Sequence, residues 1–448
     1  MIGAVLAAGA GAGTVPARAG GLVITAGSPR AIGRAGAGTV GDDGGGALLV
    51  NPAAMARRDG ARAQLGVAVA DDEIAWQPSG DAPIARNQSP SGLAPIGAAI
   101  GSLGPWVIGI GAMTSAVSER SLIRPGDFPP GSLGNRFEFR YAGIAGSIRR
   151  DTLSIGVARR LGNAVAVGLS VAGSRVAISE TRRLWAGFGG RDTIGAPAQD
   201  VEVAMTGADP YVPSLVAGVL FAPEEASLEL AASIGISGRI DLDAEITAFG
   251  TQRGPTIERA RPLATLELEQ PVTLRAGARY LTDRLVFELD GDLWLVPRSA
   301  GSASWRVYGM RVVDTSRLAI ELEHVPSRIS LRTHGAVRAA FDVELVGGFL
   351  WATAGYAYAI GAVSGQRQSP TFGDLGGHTL ALGLEATTGG FTFTAGWSRT
   401  WSAAIRTGSQ LALDNPFQAG DRASPSGSYD GSIDQLGILI DAELAAPR

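Results

Sequence analysis

Residues 391–401 read Phe-Thr-Phe-Thr-Ala-Gly-Trp-Ser-Arg-Thr-Trp. Large apolar side chains stand at Phe391, Phe393, Trp397 and Trp401, and small polar ones at Thr392, Thr394, Ser398 and Thr400. A period of two is the period of a β-strand, whose successive side chains point to opposite faces. The pattern recurs outward from this stretch. Val165, Val167, Leu169 and Val171 alternate with Ala166, Gly168 and Ser170, and Leu380, Leu382 and Leu384 alternate with Ala381 and Gly383. From Ala61 onward about fourteen or fifteen strand-like segments follow one another, including ones centred near Val67, Ala142, Leu289, Val307 and Ile438.

The charged residues keep the same parity. Glu288, Asp290 and Asp292 oppose Phe287, Leu289 and Leu293; Arg275 and Arg279 oppose Leu274 and Tyr280. Asp342 and Glu344, with Arg338, oppose Phe341, Val343 and Leu345, and Arg140 with Glu138 opposes Phe139 and Tyr141. A membrane barrel turns its apolar set to lipid and its polar set to the lumen. A soluble barrel or sandwich with its charges outside gives the same alternation. The number of strands favours a wide barrel, whose interior cannot be filled by Leu and Val and is therefore polar. Loop lengths separate the two further. Short turns near 160–163, 223–225, 282–284 and 387–390 alternate with long segments at 119–135, 180–209, 366–377 and 408–429. Outer-membrane barrels show this asymmetry.

Composition narrows the function. No stretch of about 20 apolar residues follows the N-terminus, so spanning helices are not expected. There is no cysteine, which excludes disulfide and thiolate chemistry. The net charge of −4 is dispersed without a basic block, which argues against nucleic acid. His324, His334 and His378 have no metal-ligand spacing and no G-x-S-x-G elbow occurs, so no metal, cofactor or catalytic residue is assigned. Met1 to Val15 is small and apolar, and Ala17-Arg18-Ala19 supplies an A-x-A site before Gly20, so residues 1–19 read as an export signal.

Residues 28–60 are rich in Gly and Ala and cannot build a core alone. Residues 36–41 match G-x-G-x-x-G, but no strand precedes them and no helix follows, so a phosphate site is not expected. Close backbone packing inside a crowded lumen is the better reading.

This run resembles the N-terminal plug of the FadL/TodX outer-membrane transporters. The matching residues are Gly33-Arg34-Ala35-Gly36-Ala37-Gly38, then Asp42-Asp43, then Asn51-Pro52-Ala53-Ala54-Met55. Weaker similarities lie at Val212-Pro213-Ser214-Leu215, Asp290-Gly291-Asp292-Leu293-Trp294 and Ala354-Gly355-Tyr356-Ala357-Tyr358. The resemblance implies an all-β, transmembrane antiparallel barrel of about 14 strands, with a plug over residues 20–60 and the barrel over 61–448. It implies a monomer in the bacterial outer membrane, with membrane lipid around it. The expected function is passive uptake of long-chain fatty acids or similar hydrophobic molecules, gated by the plug. Gly33, Arg34, Gly36, Gly38, Asn51, Pro52 and Ala53 carry the plug motif. Exit is expected sideways near the third strand, where Ile108-Gly109-Ile110-Gly111 would supply a kink. The lumenal charges Arg140, Arg275, Arg279, Glu288, Asp290, Asp292, Asp342 and Glu344 are expected to pair in a hydrated ladder, with an arginine free to meet a carboxylate. Arg183, Leu184, Trp185 and Phe188 are expected to form either an exposed capture loop or a loop folded onto its own aromatics. A general diffusion porin and a surface structural or adhesion barrel are the alternatives.

Overall fold

Fourteen antiparallel strands pair in sequence order and close into a ring. The computed structural model describes residues 28–78, 82–122, 137–187, 197–250, 254–364, 367–407 and 427–445. The export signal expected over residues 1–19 lies outside the described residues. The strands are β1 (Ala61–Asp72), β2 (Gly92–Leu103), β3 (Trp106–Ser121), β4 (Ala145–Leu161), β5 (Val165–Trp185) and β6 (Asp200–Phe221). Three broken strands follow: β7 (Leu228–Ser237, then Ile240–Gly250), β8 (Thr256–Leu268, then Val272–Leu281) and β9 (Leu285–Leu295, then Ser304–Val313). The ring is completed by β10 (His334–Val346), β11 (Leu350–Ala359), β12 (Gly377–Thr388), β13 (Phe391–Thr407) and β14 (Gly427–Ala445). β14 returns to β1, with Val67 opposite Ile438, so the ring of described strands closes on itself.

Burial fixes the orientation that alternation left open. Leu380, Leu382 and Leu384 are 50–58% exposed on the outer face, whereas Glu288 and Asp290 are 0% and 2% exposed on the inner one. The apolar faces of neighbouring strands merge into a belt that includes Leu65, Ile110, Ile155, Leu169, Phe393 and Ile438. An apolar outer belt over a polar interior is the arrangement of a barrel in lipid. One rim carries short turns. At Gly389 and Gly390 both φ values are positive, 58° and 80°, as a two-residue hairpin of this twist requires.

Towards the opposite rim, the outer halves of β4 to β9 change character. They turn Ile178, Met205, Leu242, Leu266, Trp305 and Val312 inward into a second apolar core. The segment centred near Val307 is thus the outer half of β9 rather than a strand of its own. The segment near Ala142 is corrected too: Phe137–Arg140 is a short helix followed by a turn through Gly143, whose φ is 111°. Positive φ interrupts an extended run, and ion pairing draws Arg140 aside.

Candidate functional site: a segment latched inside the barrel

Residues 28–60 lie within the ring. They begin with α1 (Pro29–Gly33), capped by the Ser28 hydroxyl, which accepts from the Ala31 N–H, and led by proline at its first position. α2 (Ala47–Val50) and a 3-10 turn (Pro52–Arg57) follow. The side chain of Asn51 joins the parts: it accepts from Ala53 N–H and donates to the Thr39 carbonyl at 2.9 Å. Val40, Leu48, Ala53, Ala54 and Met55 are wholly buried.

The wall is cut to receive this segment. Gly383, Gly396 and Gly437 stand side by side on β12, β13 and β14 and form a flat seat for α1. A Cβ on Gly396 would fall 2.3 Å from the Pro29 carbonyl oxygen, and one on Gly383 would lie 3.3 Å from Gly33 Cα. Across the lumen, a Cβ on Gly168 would fall 2.3 Å from Ala53 N. The hydroxyls of Ser170 and Ser233 donate to the carbonyls of Leu48 and Val50 at 2.5 and 2.6 Å. They satisfy acceptors that a four-residue helix leaves open.

Charge completes the attachment. Arg34 donates to Asp342 and, at 2.5 Å, to Glu288. Asp290 accepts from the N–H groups of Gly38 and Thr39 at 2.7 and 2.8 Å. Glu288 accepts from Val40 and Gly41 at 2.9 and 3.0 Å. Four consecutive amides of the G-x-G-x-x-G run thus meet two carboxylates of one strand. Successive amides make an anion-binding concavity; here the anion is the protein's own wall. Gly36 leaves room for Arg338, whose Nε lies 2.8 Å from where a Cβ would stand.

A second knot sits at Asp42 and Asp43. Asp43 meets Arg58 at 2.8 Å, Arg62 at 3.3 Å and Arg30 at 3.5 Å. Burial pushes its carboxyl up, but Arg62, Arg58 and Arg30 outweigh that and hold it below the usual carboxylate range. Burial pushes the Asp42 carboxyl up against the pull of Arg30.

The expected lumenal ladder is therefore revised. Glu288, Asp290 and Asp342 bind the segment rather than one another. Asp292 accepts from Arg338 and lies 3.9 Å from Arg275, which also donates to the Leu49 carbonyl at 3.4 Å. Arg279 meets Glu229 at 3.4 Å, and Glu229 also holds Arg57. Glu344 sits at the short-turn rim, accepting from Gly348 N–H. Arg140 is off the wall in its short helix, 2.9 Å from Asp200. The exposed capture loop is corrected as well. Arg183, Leu184 and Trp185 end β5 and are 2%, 0% and 4% exposed, because the outer core encloses them. Phe188 lies outside the described residues. The kink expected at residues 108–111 is absent: these pair regularly with β2 and β4, and the irregularity of β3 falls between Thr114 and Ala116.

Above the segment lies a cavity of about 470 Å³. Ile32, Ala35 and Leu49 form part of its lining from below, and Met113, Ile148, Val176, Ile178 and Val216 from the wall. Its size suits a small organic ligand. Arg150 lines it and donates to Ser174 at 3.0 Å. Among the described residues Arg150 has no acidic partner, unlike Arg275 and Arg338. The wall glycines and Arg150 were not singled out from sequence; glycines on the inward parity of consecutive strands were the available signal. No group of three or more acidic or histidine side chains that could hold a metal occurs among the described residues.

A closed barrel with an apolar belt and a segment latched in its polar lumen defines a transmembrane β-barrel of the internally filled kind. Its fold is that of the FadL/TodX outer-membrane barrels. The chain is similar to a FadL homologue from Pseudomonas aeruginosa, with 16% identity, 95% of this chain and 100% of that chain covered, and a TM-score of 0.73. It is similar to the toluene transporter TodX of P. putida (13% identity, 92% and 99% covered, TM-score 0.64). It is similar also to the toluene transporter TbuX of Ralstonia pickettii (13% identity, 93% and 98% covered, TM-score 0.63). No protein-family model matches the sequence, and no curated protein matches it.

Proposed function

We propose that this chain is a passive outer-membrane transporter for hydrophobic solutes bearing an anionic head, of which long-chain fatty acids are the type. It works as a monomer, with residues 20–60 as the gate and 61–448 as the conduit. The observation that carries this reading is the cavity: an apolar chamber with one acid-free arginine, floored by a segment held in place by polar contacts that can exchange with water. The similar structures named for FadL and for toluene transport support a hydrophobic cargo. Arg150 favours a carboxylate over a bare arene, because a charged hydrogen bond adds to chain burial. A general diffusion porin needs an open lumen, and the lodged segment stands against it.

Replacement of Arg150 by glutamine tests the reading. Binding of oleate to the purified protein is expected to weaken about 10- to 100-fold, matching a charged hydrogen bond of roughly 1.5–3 kcal/mol. Binding of oleyl alcohol should hardly change. Equal losses for both ligands would refute the assignment of the head group.

A further inference from the structure

The cavity has two unlike walls. Thr379 on β12, Ser398 and Thr400 on β13 and Gln435 on β14 line it from one side. They share the inward parity of their strands, opposite the outward Leu380, Trp397, Trp401 and Leu436. Thr379 pairs directly with Thr400, and Ser398 with Gln435, so the four form one patch on three neighbouring strands. Neighbouring strands lie about 5 Å apart, and alternate residues of one strand about 7 Å apart.

Halfway round the ring, β5 to β8 present Val176, Ile178, Val216, Ile240 and Leu268 to the same cavity. All five are buried. Ser214, Ser237, Gln270 and Thr273 also line the cavity on this side, gathered where β7 and β8 break. Arg150 lies on β4, next to β5 in the ring.

The polar patch has hydrogen-bonding capacity to spare. The Thr379 and Thr400 hydroxyls bond each other at 2.8 Å, which leaves a donor and acceptor sites over. Ser398 is 4% exposed, and neither it nor Gln435 has a side-chain hydrogen bond among the described residues. By contrast, Ser115, Thr152 and Ser174 are bonded to one another and to Arg150. A hydroxylated solute gives the patch partners, whereas a bare hydrocarbon face takes away its water and returns nothing.

We infer that the cavity selects amphiphilic acids that carry hydroxyl groups along one side, on fused rings or on a chain. The hydroxyls lie against Thr379, Ser398, Thr400 and Gln435, the hydrocarbon side against β5 to β8, and the carboxylate at Arg150. The inference rests on the transporter reading for the use of the cavity and of Arg150, and it adds what decides among acids of similar size. A site built to hydrogen-bond a solute hydroxyl rejects the analogue without it, because the site's own polar groups are then stranded.

Cholate and cholanate share a rigid skeleton and a carboxylate and differ in their hydroxyls. Their binding to the full-length protein in detergent is measured by equilibrium dialysis, with protein-free micelles as the blank. Ser398→Ala is expected to weaken cholate binding about two- to tenfold, the range of one neutral hydrogen bond. Gln435→Met is expected to do the same, and it serves if Ser398→Ala does not assemble. Cholanate binding should be unchanged by either. Equal losses for both acids, or an unchanged cholate affinity in both variants, overturn the inference. The neutral alcohol made by reducing the cholate carboxyl separates this inference from the reading it rests on. If Arg150→Gln leaves cholate binding intact, the head-group assignment fails, while weaker binding of the alcohol to Ser398→Ala still upholds the hydroxyl-reading wall. If the intact protein binds neither cholate nor the alcohol, that wall is overturned, and oleate binding decides the transporter reading alone.

Discussion

Arg34 joins the lumenal segment to two wall carboxylates at once and is itself 3% exposed. Removing one member of a buried ion pair strands the others, at a cost of about 3–5 kcal/mol. Arg34→Ala is therefore expected to release the segment, seen as higher single-channel conductance and faster proteolysis within residues 28–60. Adding Glu288→Gln and Asp342→Asn should recover most of the lost stability in thermal unfolding, because no orphaned charge remains. Asp43 sets a pH dependence. Its folded pKa lies below the unfolded value, so its contribution is present above the ordinary carboxylate range and is lost as acidification approaches the folded pKa. Acid should thus loosen the segment, measured as labelling of a cysteine at Ala47, and Asp43→Asn should flatten that acid limb. Asp42, with its carboxyl pushed up, works in the opposite sense: its strain grows as pH rises. Arg34, Asn51 and the glycines of the motif were legible as a group only through the resemblance to the family's plug pattern. Their partners were not, since Gly38 and Asp290 are 252 positions apart.

At the level of elements, alternation was the strongest signal. It sorted the side chains of strands such as β12 and β13 into two faces correctly, because their period is two; which face meets lipid came from strand number and loop lengths, not from alternation. It failed where backbone geometry overrode side-chain pattern. Gly238, Pro271 and Pro297 break β7 to β9, so the outer halves Ile240–Gly250 and Thr256–Leu268 escaped notice and Val307 was counted separately. The capture loop was misjudged because hydrophobic residues near a strand end look the same whether they face solvent or an outer core. The glycine seats yield a sharp test. Gly168→Val and Gly396→Val each place a side chain where the backbone of the lumenal segment lies. Overpacking of this kind costs about 1–3 kcal/mol. The barrel should still assemble, with its usual heat-modifiable migration on gels, while the segment leaves the lumen and conductance rises.

For the whole molecule, the lumenal segment separates a transporter from a porin. Deleting residues 28–57 should leave β1 to β14 able to close, since the ring pairs β1 with β14 without it. Conductance to ions is expected to rise strongly over the intact protein. In a porin with an already open lumen it would not change. Mass spectrometry of the gently purified intact protein should find a bound single-chain amphiphile, and the Arg150→Gln variant should retain less of it.

The contacts of the lumenal segment also impose an order of events. Residues 28–60 leave the ribosome before any strand of the wall, yet the carboxylates that organise them sit on β9 and β10 and their glycine seat on β12 to β14. None of these partners exists in place until the last third of the chain has paired. A segment made before the wall is therefore shaped after it, moulded by a container that must be finished around it.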